Sequence, residues 1–222
     1  MRAVDADIWV LTESHRHVAP GVGYQRLAQS GRADAADADE SWVAVWSRIG
    51  GTPVLTTDRD RTAAAEITLG PVRSLVVFGT VLPWLGSAWG NVAAANGAAF
   101  SASLAEQVAD WKRIRAANPG RELCVAGDFN QDLLTVGHYY GSKAGRAAVR
   151  AALDASKMSC PTGDPSDAVH HHTAGRAAGI DHICISAGLS MANDSAHVWP
   201  APEARGATLS DHFGVCITVA AS

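Results

Sequence analysis

Nine short β-rich runs set against only two amphipathic helices are what most limits the fold of this chain. The runs fall at residues 8–13, 41–47, 52–57, 64–70, 74–84, 123–129, 179–186, 196–200 and 213–220, each rich in Val, Ile, Thr or aromatic residues and bounded by Gly, Pro or Asp. Nine such runs exceed one flat sheet. The first helix falls within 91–118, where Phe100, Leu104, Val108, Trp111 and Ile114 recur at three- to four-residue intervals before Asn118-Pro119-Gly120. The second runs from 143 to 156. Helices set between strands, together with consecutive hairpin-like strands, predict an α/β sandwich rather than an all-β barrel. Residues 14–40 and 161–179, rich in Gly, Asp and Ala or Pro, read as loops.

No linker, repeat or low-complexity tract divides the 222 residues, and a 47% hydrophobic content supplies one sizeable core, so a single domain over 1–222 is expected. Eighteen basic against twenty-two acidic residues give a net charge of -4. Such a balance provides no broad positive field to hold a polyanion, which disfavours sequence-blind binding of DNA. No apolar run approaches the length of a membrane span, and "MRAVDADIWVLTES" lacks the charged, apolar and small-residue order of a signal peptide. Cytoplasmic localisation follows as the expectation. The widely spaced Cys124, Cys160, Cys184 and Cys216 form no CxxC pair and read as reduced thiols of the core rather than disulfides or zinc ligands.

Polar groups gather at the ends of four strand candidates. Glu13 closes "IWVLTE", Asp128 and Asn130 follow "LCVA", Asp181 and His182 open "IDHICIS", and Asp211 and His212 precede "FGVCITV". Charged groups beside apolar strands need a partner, a metal or protonation, and one shared metal site would supply the compensation.

The ordered set of Glu13 in "LTE", "GDFN" at 127–130, "IDH" at 180–182 and "SDH" at 210–212 resembles the endonuclease/exonuclease/phosphatase superfamily, to which pancreatic deoxyribonuclease belongs. The resemblance covers nearly the whole chain. It implies a four-layer sandwich of two packed mixed β-sheets flanked by helices, and a metal-dependent hydrolase of phosphate esters. Glu13 is implied as the main ligand of Mg²⁺, with Mn²⁺ as the alternative, and Asp211 as its support; hard carboxylate oxygens suit these ions. Asp128 is implied to orient and deprotonate the attacking water, and Asn130 to hydrogen-bond a phosphate oxygen or Asp128. The alternation Asp128, Phe129, Asn130 puts both polar groups on one side while Phe129 anchors the other. His212 is implied as the donor to the transition state, its ring held by Asp181, and a neighbouring carboxylate raises a histidine pKa.

Two departures accompany the resemblance. Family members begin with a strand that carries an Asn, followed by a helix; this chain starts in "MRAVDADIWVLTE", which reads as the tail of that helix, so the expectation is a coding start assigned too late. Val81 in "FGTVLPW" stands where many relatives carry a His that protonates the leaving group. The "HHHT" run at 170–173 reads either as a metal or phosphate ligand near the site or as a solvated loop. His15 and His17 flank Glu13 without a spaced set of four ligands and stay outside the site. Trp84 and Trp89 are candidate stacking surfaces. The expected function is phosphodiester hydrolysis by in-line attack of activated water. The substrate is a small or lipid-derived phosphodiester or a short nucleic-acid end, with a nuclease on DNA or RNA as the alternative and a non-catalytic scaffold as the reading of another class. Nuclease action would draw on basic clusters such as Arg59, Arg61 and Arg73, or Lys143, Arg146 and Arg150. No protein partner is expected.

Overall fold

Apolar, β-branched and aromatic side chains pair the early strands much as their patterning predicts. The computed structural model describes residues 4–32, 37, 39–71, 73–118, 120–192, 196–199, 210 and 212–221. Contacts divide the chain into two units, one of Met1–Leu82 with Ala102–Asp128 and one of Pro83–Ser101 with Phe129–Ser222.

In the first unit, strand β1 (Ile8–His15) runs antiparallel to β3 (Glu40–Ser47), with Val10 opposite Val45, and β2 (Gln25–Gln29) pairs with the other edge of β3. The remaining strands follow the order β4 (Thr52–Val54), β5 (Thr62–Thr68), β6 (Ser74–Val81), β7 (Arg121–Asp128). The pairs β4–β5 and β5–β6 are antiparallel and β6–β7 is parallel, so these strands are mixed. The parallel pair requires a crossover, which helix α1 (Ala98–Ala116) supplies. The sheets pack face to face, β3 against β5 and β6. Contact is close enough that a Cβ added at Gly79 would lie 2.3 Å from Val43 Cγ1. Strand β3 reads as a continuous apolar run because it is buried on both faces. Trp42, Val43, Val45, Phe78 and Trp111 are essentially sealed from solvent, each worth about 1.5–3 kcal/mol on area burial. Phe78 meets Trp111 of α1 edge to face at 6.3 Å, and Thr80 Oγ1 donates to Gln107 Oε1 at 2.7 Å. Sheets packed on each other and covered by helix make this the α/β fold that the resemblance implies.

In the second unit, α2 (Lys143–Ala155) is capped by Ser142, whose Oγ accepts the Gly145 N–H at 2.9 Å. It buries Val149 and Leu153 and packs on β8 (Met158–Ser159), which runs antiparallel to β9 (Asp181–Ser186). Helix α3 (Ala168–His172) precedes β9; β10 (Leu189–Met191) pairs with β13 (Val219–Ala221), and β11 (His197–Trp199) with β12 (Gly214–Cys216), which packs against β9.

Several expectations change. The 14–40 segment contains β2, whose "QRLAQ" buries only Leu27 and so carries almost no hydrophobic pattern. The 161–179 segment contains α3, a helix of five residues capped by the Asp167 side chain. The single strand expected over 213–220 is two, broken at 217–218 where the chain leaves β11 to join β10. Residues 4–7, read as the tail of a helix, are not helical. Among the described residues no helix is long and apolar enough to cross a membrane.

Candidate active site

Glu13 and Asp128 belong to the first unit. Glu13 lies near the end of β1 with φ 47°, a left-handed conformation that a residue with a Cβ adopts only under constraint. Its carboxylate is 48% exposed, with Arg32 Nη1 at 3.6 Å from Oε2. Arg32 also reaches Glu40 at 3.4 Å, and its guanidinium lies 4.1 Å from the Trp42 ring. Asp128 closes β7 and is buried. In the parallel register it sits beside Val81, and its carbonyl accepts the Leu82 N–H at 2.9 Å. The position where relatives carry a leaving-group histidine is therefore adjacent to Asp128 and is filled by a fully buried aliphatic side chain. The approach is set one residue earlier. Gly127 has φ 136°, and a Cβ there would lie 2.1 Å from the Thr80 carbonyl oxygen. Only glycine lets β7 lie so close to β6 at that point. Glu13 presents hard carboxylate oxygens, a donor chemistry that fits a divalent cation such as Mg²⁺ or Mn²⁺.

Asn130, Asp181 and His212 belong to the second unit. The Phe129 N–H donates to the Ile180 carbonyl at 2.8 Å, and its fully buried ring meets His182 edge to face at 5.5 Å. Phe129 is thus anchored in the core of this unit, while β7 ends at Asp128, so the period-two alternation does not extend to Asn130. Beyond it, Asn130 is buried with φ 49°, the second predicted site residue in a left-handed conformation. Asp181 begins β9, and β12 brings the preceding His212 to it: Nδ1 to Oδ2 is 2.7 Å, with the two side chains 30% and 17% exposed. The structure brings this predicted pair together. The hydrogen bond through Nδ1 fixes the orientation of the ring. Asp211 lies outside the described residues.

Two features escape sequence reading. Asp132 is completely buried and accepts N–H from Tyr139 at 2.8 Å and Tyr140 at 3.0 Å, with Arg146 Nη2 at 3.1 Å and His138 Nδ1 at 3.1 Å. Burial alone would raise its pKa, but the backbone donors and Arg146 hold it below the ordinary carboxylate value. This node fixes the segment that follows Asn130. The "GDFNQD" run displays the acid, but its partners lie up to fourteen residues further on and no periodicity marks them. The second feature joins His15 to Asp37 and Asp39, whose ligand atoms lie within 4.8 Å of one another. The carboxylates that "ESHRH" appeared to lack come from the far end of the 14–40 segment. The "HHHT" residues form α3 and its cap: His170 stacks edge to face on Tyr139 and His172 on Phe213.

A profile of the endonuclease/exonuclease/phosphatase family matches residues 1–212. No curated protein matches the sequence. Among solved structures, the fold resembles the 3' phosphatase NExo from Neisseria bound to product DNA hairpin, at 18% identity and TM-score 0.63, covering 96% of this chain and 88% of that one. The catalytic domain of Xenopus laevis APE2 is similar at 16% identity and TM-score 0.63, covering 98% and 85%. An endonuclease/exonuclease/phosphatase from Beutenbergia cavernae DSM 12333 is similar at 17% identity and TM-score 0.58; 97% of this chain is covered, and it spans 62% of that protein. With the four motifs in order and the profile running across both units, the chain belongs to the endonuclease/exonuclease/phosphatase family, whose members are metal-dependent hydrolases of phosphate esters.

Proposed function

We propose that the chain hydrolyses phosphodiesters with Mg²⁺ or Mn²⁺ as cofactor, and that Glu13, Asp128, Asn130, Asp181, Asp211 and His212 act as one site. Glu13 and Asp211 hold the cation, which when bound neutralises charge on the phosphoryl oxygens. Asp128 takes the proton of the attacking water and aims its oxygen at phosphorus. Asn130, which cannot ionise, donates a hydrogen bond to a non-bridging oxygen. His212 donates to the oxygens on which charge builds in the transition state, and Asp181 fixes the tautomer and angle of that ring. Val81 offers no proton, so the preferred ester is one whose leaving group departs without a dedicated acid at that position.

The observation that supports this reading best is the Asp181–His212 pair at 2.7 Å, formed by residues that are thirty-one positions apart and chosen on motif alone. The left-handed backbone at both Glu13 and Asn130 adds to it, because strained residues concentrate at functional sites. For the substrate we propose a short nucleic-acid end or a comparably small phosphodiester. Support comes from the product DNA hairpin bound by the Neisseria 3' phosphatase and from the absence of a net positive charge here. One family profile running through both units supports treating residues 1–222 as one domain. Four free cysteines support a reducing, cytoplasmic setting.

Hydrolysis of bis-p-nitrophenyl phosphate tests the proposal. Turnover should require added Mg²⁺ or Mn²⁺, stop with chelator, and fall by at least about a hundredfold in Asp128→Ala. Turnover that survives both losses overturns the mechanism, and its absence in the metal-loaded wild type assigns the chain to the scaffold class.

A further inference from the structure

The register of the β8–β9 pair extends past its named ends. Met158 faces Ser186 and Ser159 faces Ile185, so the next antiparallel step sets Cys160 opposite Cys184. Thr162 bears out the continuation: its Oγ1 accepts the Ile183 N–H at 2.8 Å and lies 3.7 Å from Cys160 Sγ. Alternation along β9 puts His182 and Cys184 on one face. Both are fully buried, Cys160 is partly exposed, and neither cysteine is in a disulfide.

We propose that Cys160 and Cys184 form a redox-active dithiol that hydrogen peroxide closes to a reversible disulfide between β8 and β9. The Cys160 thiolate attacks one peroxide oxygen, the O–O bond breaks, and hydroxide leaves, giving a sulfenic acid. Sulfur of Cys184 then attacks Cys160 Sγ, the S–O bond breaks, and the oxygen departs as water with the Cys184 proton. Two electrons pass from the thiols to one peroxide. Cys160 is the nucleophile because its residue is only partly buried, whereas Cys184 is fully buried. The Cys184 thiol, followed by His182 and Thr162, stabilises its thiolate and holds its pKa well below the ordinary thiol value despite burial. Burial alone would lower the His182 pKa, yet the Cys160 thiolate and the Gln131 carbonyl raise it. Cys216 is a contrast: burial raises its pKa, which leaves it a poor nucleophile. Directly opposed Cβ atoms lie about 4.5–5.5 Å apart, whereas a disulfide asks for about 3.5–4.5 Å. Closure therefore draws the strands together by about 1 Å, and the bond is correspondingly easy to reduce. His182 lies between this pair and the site segment, its Nε2 donating to the Gln131 carbonyl at 2.9 Å.

The test is covalent and independent of the proposed activity. Folded protein is treated with hydrogen peroxide, quenched with iodoacetamide and weighed without reductant. The wild type should lose two hydrogens, regain them with dithiothreitol, and give a peptide map joining the Cys160 and Cys184 fragments. Cys160→Ser and Cys184→Ser should lose the cross-link, while Cys124→Ser and Cys216→Ser keep it. A bond that involves Cys124 or Cys216, oxidation of Cys160 to sulfinic acid without a bond, or no reaction at all each overturns the proposal. The wild-type map decides alone if a serine variant fails to fold.

Discussion

Two buried or half-buried polar residues hold the consequences that one substitution can read. His212 is partly exposed and paired with Asp181, so His212→Ala should lower kcat by about 10²–10³-fold while leaving the urea midpoint near wild type. A large fall in the midpoint instead would recast His212 as structural. Asp132 is the opposite case. Removing its carboxylate strands the Arg146 charge and the backbone donors of Leu134, Tyr139 and Tyr140, and Asp132→Ala should lower the unfolding free energy by about 3 kcal/mol in urea titrations at pH 7. The folded pKa lies below the unfolded one, so the carboxylate stabilises fully above the unfolded value of about 3.9 and loses that contribution as pH falls through the folded value. Stability of the variant should accordingly depend less on pH across acid solution than that of the wild type.

Elements differ in how plainly the sequence announces them, and the reason is burial. Strands β3, β5 and β6 are sealed on both faces and spell out apolar runs, and α1 shows its stripe because Trp111 and Ile114 face a sheet. Strand β2 has one buried side chain, and α3 is set by a cap and not by periodicity, so both pass for loop. At the site, the acids and imidazole are legible because they break apolar strands, and Asp181 with His212 shows that motif order carries spatial information. The Asp132 node and the Cys160–Cys184 opposition are illegible, since each arises from a register or a loop path that no local pattern encodes. The closest backbone approach, between β6 and β7, gives the sharpest element-scale expectation. Gly127→Ala forces a Cβ onto the Thr80 carbonyl from a left-handed backbone, and should lower stability by about 2 kcal/mol or more in a thermal or urea melt. A neutral result would mean that the strands separate there without cost.

For the molecule as a whole, charge limits what the chain can grip. Of the basic clusters that would favour a nuclease, Arg61 is buried and lies 4.4 Å from the Trp42 ring. Arg146 and Arg150 donate to the carbonyls of Gly137 and Leu133. These three side chains are tied into the fold, and the net charge is -4. Binding of a DNA hairpin, followed by fluorescence anisotropy between 50 and 200 mM salt, should fall with a log–log slope no steeper than about -3. A slope near -6 or beyond would reveal an extended backbone-binding face.

The parallel β6–β7 pair also fixes when the site can come into being. Strand β7 follows β6 only after the entire α1 crossover. A nascent chain that has left the ribosome as far as α1 already owns Glu13, yet the partner strand bearing Asp128 is still in the exit tunnel. The edge of β6 must therefore wait, covered by whatever chaperone meets it, and synthesis pauses placed after α1 would lengthen that vulnerable interval.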